Sequence, residues 1–225
     1  MSFSDFLNLI PLWGASLKSH SQQMPSNCVA AGNPGKYMDV LDFDYTLPSN
    51  IEFDGEDYSA TETQTFIVYG SSMSPEDVFS GDKIVVSPCK VDEIKKGDYI
   101  VIEVDKDYYK HKYGHYPIFQ FKLRKALMPV PQGKDADETE RLLLDELSKI
   151  YEELSLEEFT EELKKDLRDA LEFYKNKPLF VSITYKEGKI HYSFHPQSSI
   201  KYRVIQIVRK NFKNVIIMQP DRTLH

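Results

Sequence analysis

Short runs of apolar and β-branched residues, separated by turn residues, recur along most of the 225-residue chain. Their length and partial alternation predict β-strands. The predicted strands lie at about 37–43, 65–70, 83–87, 99–104, 119–124, 179–185, 190–194 and 201–208. The pattern leaves open whether a last apolar run, at 215–218, pairs in the same sheet or with a neighbouring molecule. The chain is therefore predicted to be mainly β.

Residues 135–176 have a different periodicity, because their large apolar side chains recur at helical spacing. The recurring residues are Leu143, Leu147, Ile150, Tyr151 and Leu154, then Phe159, Leu163, Leu167, Leu171 and Tyr174. Residues 155–158 have the form of a capping box. Between residues 134 and 170 there are 14 acidic and 6 basic residues, a net charge of −8. We expect an inserted helical hairpin that packs its leucine face on the body, or offers a docking surface to a protein partner, or does both.

A sharp bend is predicted directly after the strand at 65–70. Gly70 ends the apolar run, Ser71, Ser72 and Met73 follow it, and a second apolar run begins after Gly81. A serine at such a bend is displayed rather than buried. Taken alone, the pattern is typical of an ordinary turn rich in glycine and serine. With a base nearby, the same serine becomes a candidate nucleophile.

Lys122 is a candidate base, because it stands among large apolar residues in a strand-like segment. Desolvation disfavours the charged form of a lysine, and a neutral amine can accept a proton from serine. Lowering the pKa of a lysine from about 10.4 to near 7 requires about 4–5 kcal/mol of differential solvation. The alternative interpretation is a lysine whose stem packs while its amine reaches water. Lys125 is an alternative base, although alternation would place it on the opposite face of the strand.

The segment 29–34, Val-Ala-Ala-Gly-Asn-Pro, has the properties of a cleavage site. Alanine and glycine carry almost no side chain, so their peptide bond can enter a narrow cleft in extended form. Pro34 keeps the segment out of a helix. The same residues also suit an ordinary linker.

Together, these three segments resemble the self-cleaving LexA-type repressors and the related UmuD-type mutagenesis proteins. The cleavage segment at 29–34, the bend at 70–75 with Gly81 and Asp82, and the lysine strand at 121–124 are similar to the motifs of that family and occur in its order. The resemblance covers residues 28–128 and, less specifically, 178–213. One departure is Leu123, which stands where the family usually has arginine directly after the lysine.

The resemblance implies a self-cleaving serine peptidase with a LexA-like fold of twisted, partly barrel-like sheets. It makes Ser72 the nucleophile and Lys122 the general base for cleavage of the Ala31–Gly32 bond. Ser71 and Met73 would support the bend and the oxyanion, and Ser71 would be the nucleophile if the bend were shifted by one residue.

The expected organisation is an N-terminal arm at 1–35 that contains the cleavage segment, a peptidase domain at 36–213 that contains the insertion, and a tail at 214–225. The residues before the cleavage segment are too few for a helix-turn-helix, so the chain is closer to the UmuD type. The resemblance further implies a homodimer, stimulation by a recombinase–DNA filament during DNA damage, and an error-prone DNA polymerase as partner.

Composition narrows the class of protein. The net charge of −7 gives no global attraction to nucleic acid, so direct DNA binding is not expected. Two distant cysteines, Cys28 and Cys89, indicate a reducing compartment, and a cytoplasmic location is expected. No signal peptide or membrane anchor is expected. Cys28 is a poor candidate nucleophile, because no histidine partner is evident near it.

No cofactor and no metal are expected. The acidic residues between 36 and 62 lack clear ligand spacing. Residues 105–116, rich in tyrosine, lysine and histidine, are predicted to form a hairpin tip. If the segment were a helix, His111 and His115 could be metal ligands. As a separate alternative, the interleaved aromatic and basic residues of the segment could stack on nucleic-acid bases.

Two other classes of function remain open. The fold could be kept as an uncleaved interaction module whose acidic helices bind a partner. The chain could also be a regulator whose DNA-binding domain is lost or lies on a separate chain.

Overall fold

The structure is a computed structural model that describes residues 28–31, 45–154, 161–175, 177–186, 189–211 and 214–224. The predicted strand at 37–43, the capping box at 155–158, Gly32 and most of the N-terminal arm lie outside these residues.

The described chain is mainly β, as predicted, with three α-helices in its described part. The strands are β1 (Cys28–Ala30), β2 (Asn50–Phe53), β3 (Glu56–Ser59), β4 (Gln64–Tyr69), β5 (Lys83–Pro88), β6 (Tyr99–Glu103), β7 (Phe121–Pro129), β8 (Leu179–Lys186), β9 (Lys189–Pro196), β10 (Ile200–Asn211) and β11 (Asn214–Met218). The helices are α1 (Lys106–Tyr113), α2 (Ala136–Leu154) and α3 (Glu161–Tyr174).

One large mixed sheet carries nine of these strands, in the order β1-β4-β5-β10-β6-β7-β8-β9, with β11 paired to β10. The three-residue strand β1 is parallel to β4 and also pairs with β7 through Ala30 and Lys122. The path from β1 through β4, β5, β10, β6 and β7 therefore closes on itself. Strand β1 completes this ring of strands. The apolar interior beside it includes Val29, Phe66, Val68 and Leu123.

The hairpin of β2 and β3 was not predicted, because the sequence pattern predicts one strand at about 37–43 and then a loop around residues 48–50. Its turn consists of Asp54 and Gly55, both with positive φ, 59° and 78°. Two left-handed residues form the tight turn whose twist matches that of the strands, and Asp-Gly is a common sequence for it. The pair Asp54-Gly55 was thus the feature of the sequence that could have predicted this hairpin.

The expectation of a hairpin tip at 105–116 was wrong, because this segment forms helix α1. Asp105 caps the helix through its carboxylate, which accepts from the backbone N–H groups of Asp107 and Tyr108, both at 3.0 Å. Gly114 ends it in the left-handed conformation, with φ 78°. The capping residues decide the structure here, because they satisfy terminal groups of the helix backbone.

Helices α2 and α3 occupy the predicted insertion. The leucine face packs against strands β8 and β9, in a cluster that includes Leu143, Leu147, Leu167, Val181 and Phe194. An ion pair of 2.6 Å between Lys112 and Asp166 joins α3 to α1. The hairpin is therefore part of the packed body. None of the helices in the described part of the chain combines the length and apolar character needed to cross a bilayer.

The C-terminal segment pairs within its own chain and then returns to the core. Strand β11 is antiparallel to β10, and Leu224, which follows β11 near the end of the chain, is buried. The carbonyl oxygen of Thr223 accepts a hydrogen bond from the Nζ atom of the buried Lys125. The tail thus reaches the lysine strand β7.

Candidate functional site

The bend after β4 holds Ser72 in a fixed position. Met73 is fully buried and anchors the bend in the core. The backbone carbonyl of Ser72 accepts from the N–H of Tyr185 on β8 at 2.9 Å. Ser71 is exposed, and its carbonyl accepts from the N–H of Ser74 at 3.0 Å and from the hydroxyl of Ser74 at 2.7 Å. Ser72 is therefore the partly buried member of the pair.

The side chain of Ser72 contacts Thr184, a residue that no sequence pattern indicated. The Thr184 hydroxyl lies 2.9 Å from Ser72 Oγ and 3.2 Å from the Ser72 carbonyl oxygen. A hydroxyl in this position orients Ser72 Oγ without changing its charge. Thr184 is separated from Ser72 by 112 positions, so its role depends on the pairing of β8.

Ala31 lies directly on the serine bend. Its N–H donates to the carbonyl of Tyr69 at 2.6 Å, and its own carbonyl oxygen accepts from the N–H of Ser72 at 3.1 Å. Ala31 is fully buried. One N–H group of the bend therefore polarises the carbonyl at which the proposed cleavage would occur. This donor belongs to Ser72 itself, whereas the resemblance implied oxyanion support from Ser71 and Met73.

Gly70 allows this close approach. Its φ is +98°, and a Cβ atom added there would lie 2.3 Å from the carbonyl oxygen of Ala31. The position therefore requires glycine for both conformation and space.

Gly70→Ala is expected to lower the rate of any self-cleavage by about 10²-fold, because misplacing a reacting carbonyl by about 1 Å has an effect of that size. Gly55→Ala is the matched control, since Gly55 also has positive φ, 78°, but has no atom within 4 Å of an added Cβ. Cleavage rates of the two variants, measured by intact mass, check the prediction. Equal rates would contradict it.

Lys122 lies on β7 next to Ala30 and is partly buried. Its Nζ atom is 5.0 Å from the ring centroids of both Tyr109 and Phe119. Among the described residues, no carboxylate forms an ion pair with it. Burial, followed by the positive charges of Arg124 and Lys112, holds the pKa of Lys122 well below its usual range.

Ser72, Lys122 and Ala31 line one cavity of about 620 Å³. The structure therefore brings together the three segments that the sequence singled out. No hydrogen bond joins Ser72 Oγ to Lys122 Nζ, although both residues belong to the described part of the chain. Thr184 is the partner of the serine hydroxyl in this state. Catalytic hydrogen bonds are commonly longer before substrate is fully engaged.

The alternative base Lys125 has a different partner. Its side chain is fully buried and forms an ion pair with Glu76. Lys125 and Lys122 are three positions apart on β7 and so lie on opposite faces. Lys125 is thereby separated from the cavity that holds Ser72.

Glu76 is a buried acidic residue beneath the bend, and sequence reasoning missed it. Besides Lys125, its carboxylate accepts from the hydroxyl of Tyr185, and its backbone carbonyl accepts from the hydroxyl of Tyr99 at 3.1 Å. Tyr185 also supports the Ser72 carbonyl. This network therefore fixes the underside of the serine bend.

No metal site is found within the described residues, where no group of three or more histidine, cysteine and acidic side chains is suitably placed. His111 and His115 lie on and after α1, and the ring of His111 stacks near Phe173 with centroids 5.3 Å apart. Cys28 is buried in β1.

Comparison of the chain with protein-family models, with curated proteins and with solved structures gave no match.

Proposed function

We propose that this protein is a self-cleaving serine peptidase with a LexA-like fold, which cuts its own Ala31–Gly32 bond. The observation that carries the proposal is the 3.1 Å hydrogen bond from the N–H of Ser72 to the carbonyl oxygen of Ala31. A carbonyl held on the backbone N–H of a candidate nucleophile is both close to that nucleophile and polarised for attack.

In the first step, the neutral amine of Lys122 removes the proton of Ser72 Oγ, and Oγ bonds to the carbonyl carbon of Ala31. The N–H of Ser72 stabilises the negative charge that develops on the Ala31 oxygen. Collapse of this intermediate breaks the Ala31–Gly32 bond, and the Lys122 ammonium returns its proton to the amine of Gly32. Water then hydrolyses the ester, with Lys122 again acting as base.

Two features of the site support these roles. The depressed pKa of Lys122 increases the neutral fraction that can act as a base. Strand β1 is held between β4 and β7, so the Ala31 carbonyl is positioned before any chemistry begins. Each molecule would react only once, which suits a regulatory switch.

The experiment is intact mass measurement on the wild type, Ser72→Ala and Ser71→Ala during incubation at pH 7 and about pH 10. We expect the wild type and Ser71→Ala to lose residues 1–31, and Ser72→Ala to keep them. Ser71 is the matched control, because it is adjacent and exposed and its substitution leaves the backbone N–H groups in place.

Retention of full mass by the wild type at both pH values, also with an activated recombinase–DNA filament present, would overturn the proposal. Cleavage lost only in Ser71→Ala would move the nucleophile to Ser71.

By the resemblance, the proposed switch acts in a response to DNA damage. A recombinase–DNA filament would stimulate it, and the trimmed protein would act as a homodimer with a DNA polymerase. The acidic hairpin of α2 and α3 is the proposed docking surface. If no cleavage occurs, an uncleaved interaction module becomes the better proposal, since the hairpin presents its acidic side chains around a packed leucine face.

A further inference from the structure

Among the described residues, Arg124 is a buried cation without a counter-ion. It lies on β7, and only 4% of its surface is exposed. Within the described chain, the one hydrogen bond of its guanidinium runs from Nη1 to the carbonyl oxygen of Leu123, at 2.7 Å, and Nε has no partner. No carboxylate among the described residues forms an ion pair with it. Burial lowers the pKa of Arg124 to about 10, so the group is charged at neutral pH.

His195 is a second buried polar group in the cavity wall. It lies on β9 and is 6% exposed, and neither ring nitrogen has a hydrogen-bond partner in the described part of the chain. Its ring centroid is 6.1 Å from that of Phe180. Burial, helped by the positive charges of Arg124 and Lys122, lowers the pKa of His195 to about 3. The ring is therefore neutral at pH 7, with one N–H group available to donate.

Arg124 and His195 line the same small cavity, of about 70 Å³. Lys112 and Lys122 also line it, so four nitrogen-bearing side chains face one space. Two acidic residues are present on the wall, but both have other partners. Asp105 caps α1, and Glu103 pairs with Lys201 at 3.2 Å. Lys112 pairs with Asp166, His195 is neutral and the pKa of Lys122 is depressed, so within the described residues Arg124 carries the uncompensated positive charge of this cavity.

We propose that this cavity binds a compact oxyanion, held by the guanidinium of Arg124 and the ring N–H of His195. A buried charge without a partner opposes folding, and a bound anion offsets that cost. Guanidinium presents parallel N–H groups that match two oxygens of a carboxylate or phosphate. The volume of about 70 Å³ suits a group of a few heavy atoms.

An anion in this cavity would also affect Lys122, and this consequence rests on the proposed function. Arg124 and Lys122 are two positions apart on β7 and share one face of the sheet. The positive charge of Arg124 favours neutral Lys122, and a bound anion would offset that charge. The bound anion therefore slows self-cleavage, so that the cavity regulates the switch.

The test measures anion binding directly, in a Ser72→Ala background that cannot be consumed by cleavage. Isothermal titration with sodium phosphate or sodium acetate is done at pH 7 and constant ionic strength, with chloride as the balancing anion. We expect saturable binding of at least one oxyanion, and Arg124→Met should weaken it at least tenfold. Arg141→Gln is the matched control, because Arg141 is an exposed arginine on α2. This variant should bind the oxyanion as tightly as the parent.

Comparison of the two salts identifies the source of the oxyanion, an inorganic phosphate or a carboxylate. His195→Leu provides a second variant if Arg124→Met does not fold, and it should also weaken binding, through loss of the N–H donor. Absence of saturable binding in the parent, or binding unchanged in the folded variants, would overturn the proposal. Because binding is measured without cleavage, this result is separate from that of the mass experiment.

Discussion

Replacement of Lys122 by methionine is expected to remove self-cleavage and, at the same time, to stabilise the fold. General base catalysis contributes about 10²–10⁴-fold, and methionine cannot accept the serine proton. Lys122 also has no carboxylate partner among the described residues, so its burial opposes folding at neutral pH. Methionine keeps most of the apolar stem, and we expect the free energy of unfolding to rise by about 1–3 kcal/mol. Cleavage by mass and urea unfolding measure the two effects.

The stability difference should depend on pH in one direction. The folded-state pKa of Lys122 is depressed below its unfolded value of 10.5. As pH falls below about 10.5, the unfolded chain binds a proton that the folded chain does not yet bind, so the wild type loses stability. The loss stops below the folded-state pKa. The advantage of Lys122→Met should therefore be largest at neutral and lower pH and should disappear above about pH 10.5.

The rate of wild-type cleavage should rise with pH through the same folded-state pKa and then level off well below 10.5, since only neutral Lys122 is a base. Lys149→Met is the control, because Lys149 is an exposed lysine on α2 and should leave cleavage unchanged. Cleavage by Lys122→Met at the wild-type rate would assign the base to another residue. A destabilised Lys122→Met would contradict the cost assigned to its burial.

Lys125→Met is expected to reduce the free energy of unfolding by about 3–5 kcal/mol. This effect is opposite to that of Lys122→Met, although both variants replace a lysine on β7 by methionine. The ion pair of Lys125 and Glu76 is completely buried, and removal of one partner leaves the other charge without compensation. Glu76 also holds Tyr185, which supports the carbonyl of Ser72, so cleavage should slow as well. Urea unfolding of the single variant measures the stability effect.

The double variant Lys125→Met with Glu76→Gln separates lost packing from unpaired charge. It should recover much of the stability, because glutamine can still accept from Tyr185 without carrying a charge. Lys164→Met is the matched control, because Lys164 is a partly exposed lysine paired with the exposed Glu161, and this variant should leave stability almost unchanged. A double variant as unstable as Lys125→Met alone would show that packing, rather than charge, accounts for the loss.

The sequence predicted most of the strands and both inserted helices, since these depend on local periodicity. The bend at Gly70 and the apolar surroundings of Lys122 are likewise local features. Two local signals were misread. Asp54-Gly55 formed a hairpin turn, and Asp105 with Gly114 capped a helix where a hairpin was expected. In both cases, a few polar or flexible residues outweighed the composition of the segment.

The sequence by itself therefore determined the mainly β fold, the inserted helices and the three segments that carry the candidate chemistry. Only the tertiary structure decided which groups meet. It seated Ala31 on the N–H of Ser72, joined Thr184 to the serine hydroxyl and paired Lys125 with the distant Glu76. In one cavity it also left Arg124 without a carboxylate partner and His195 without a hydrogen-bond partner, as far as the described residues show. The physical reason is that strand pairing and burial act between residues far apart in sequence, where no local pattern records them.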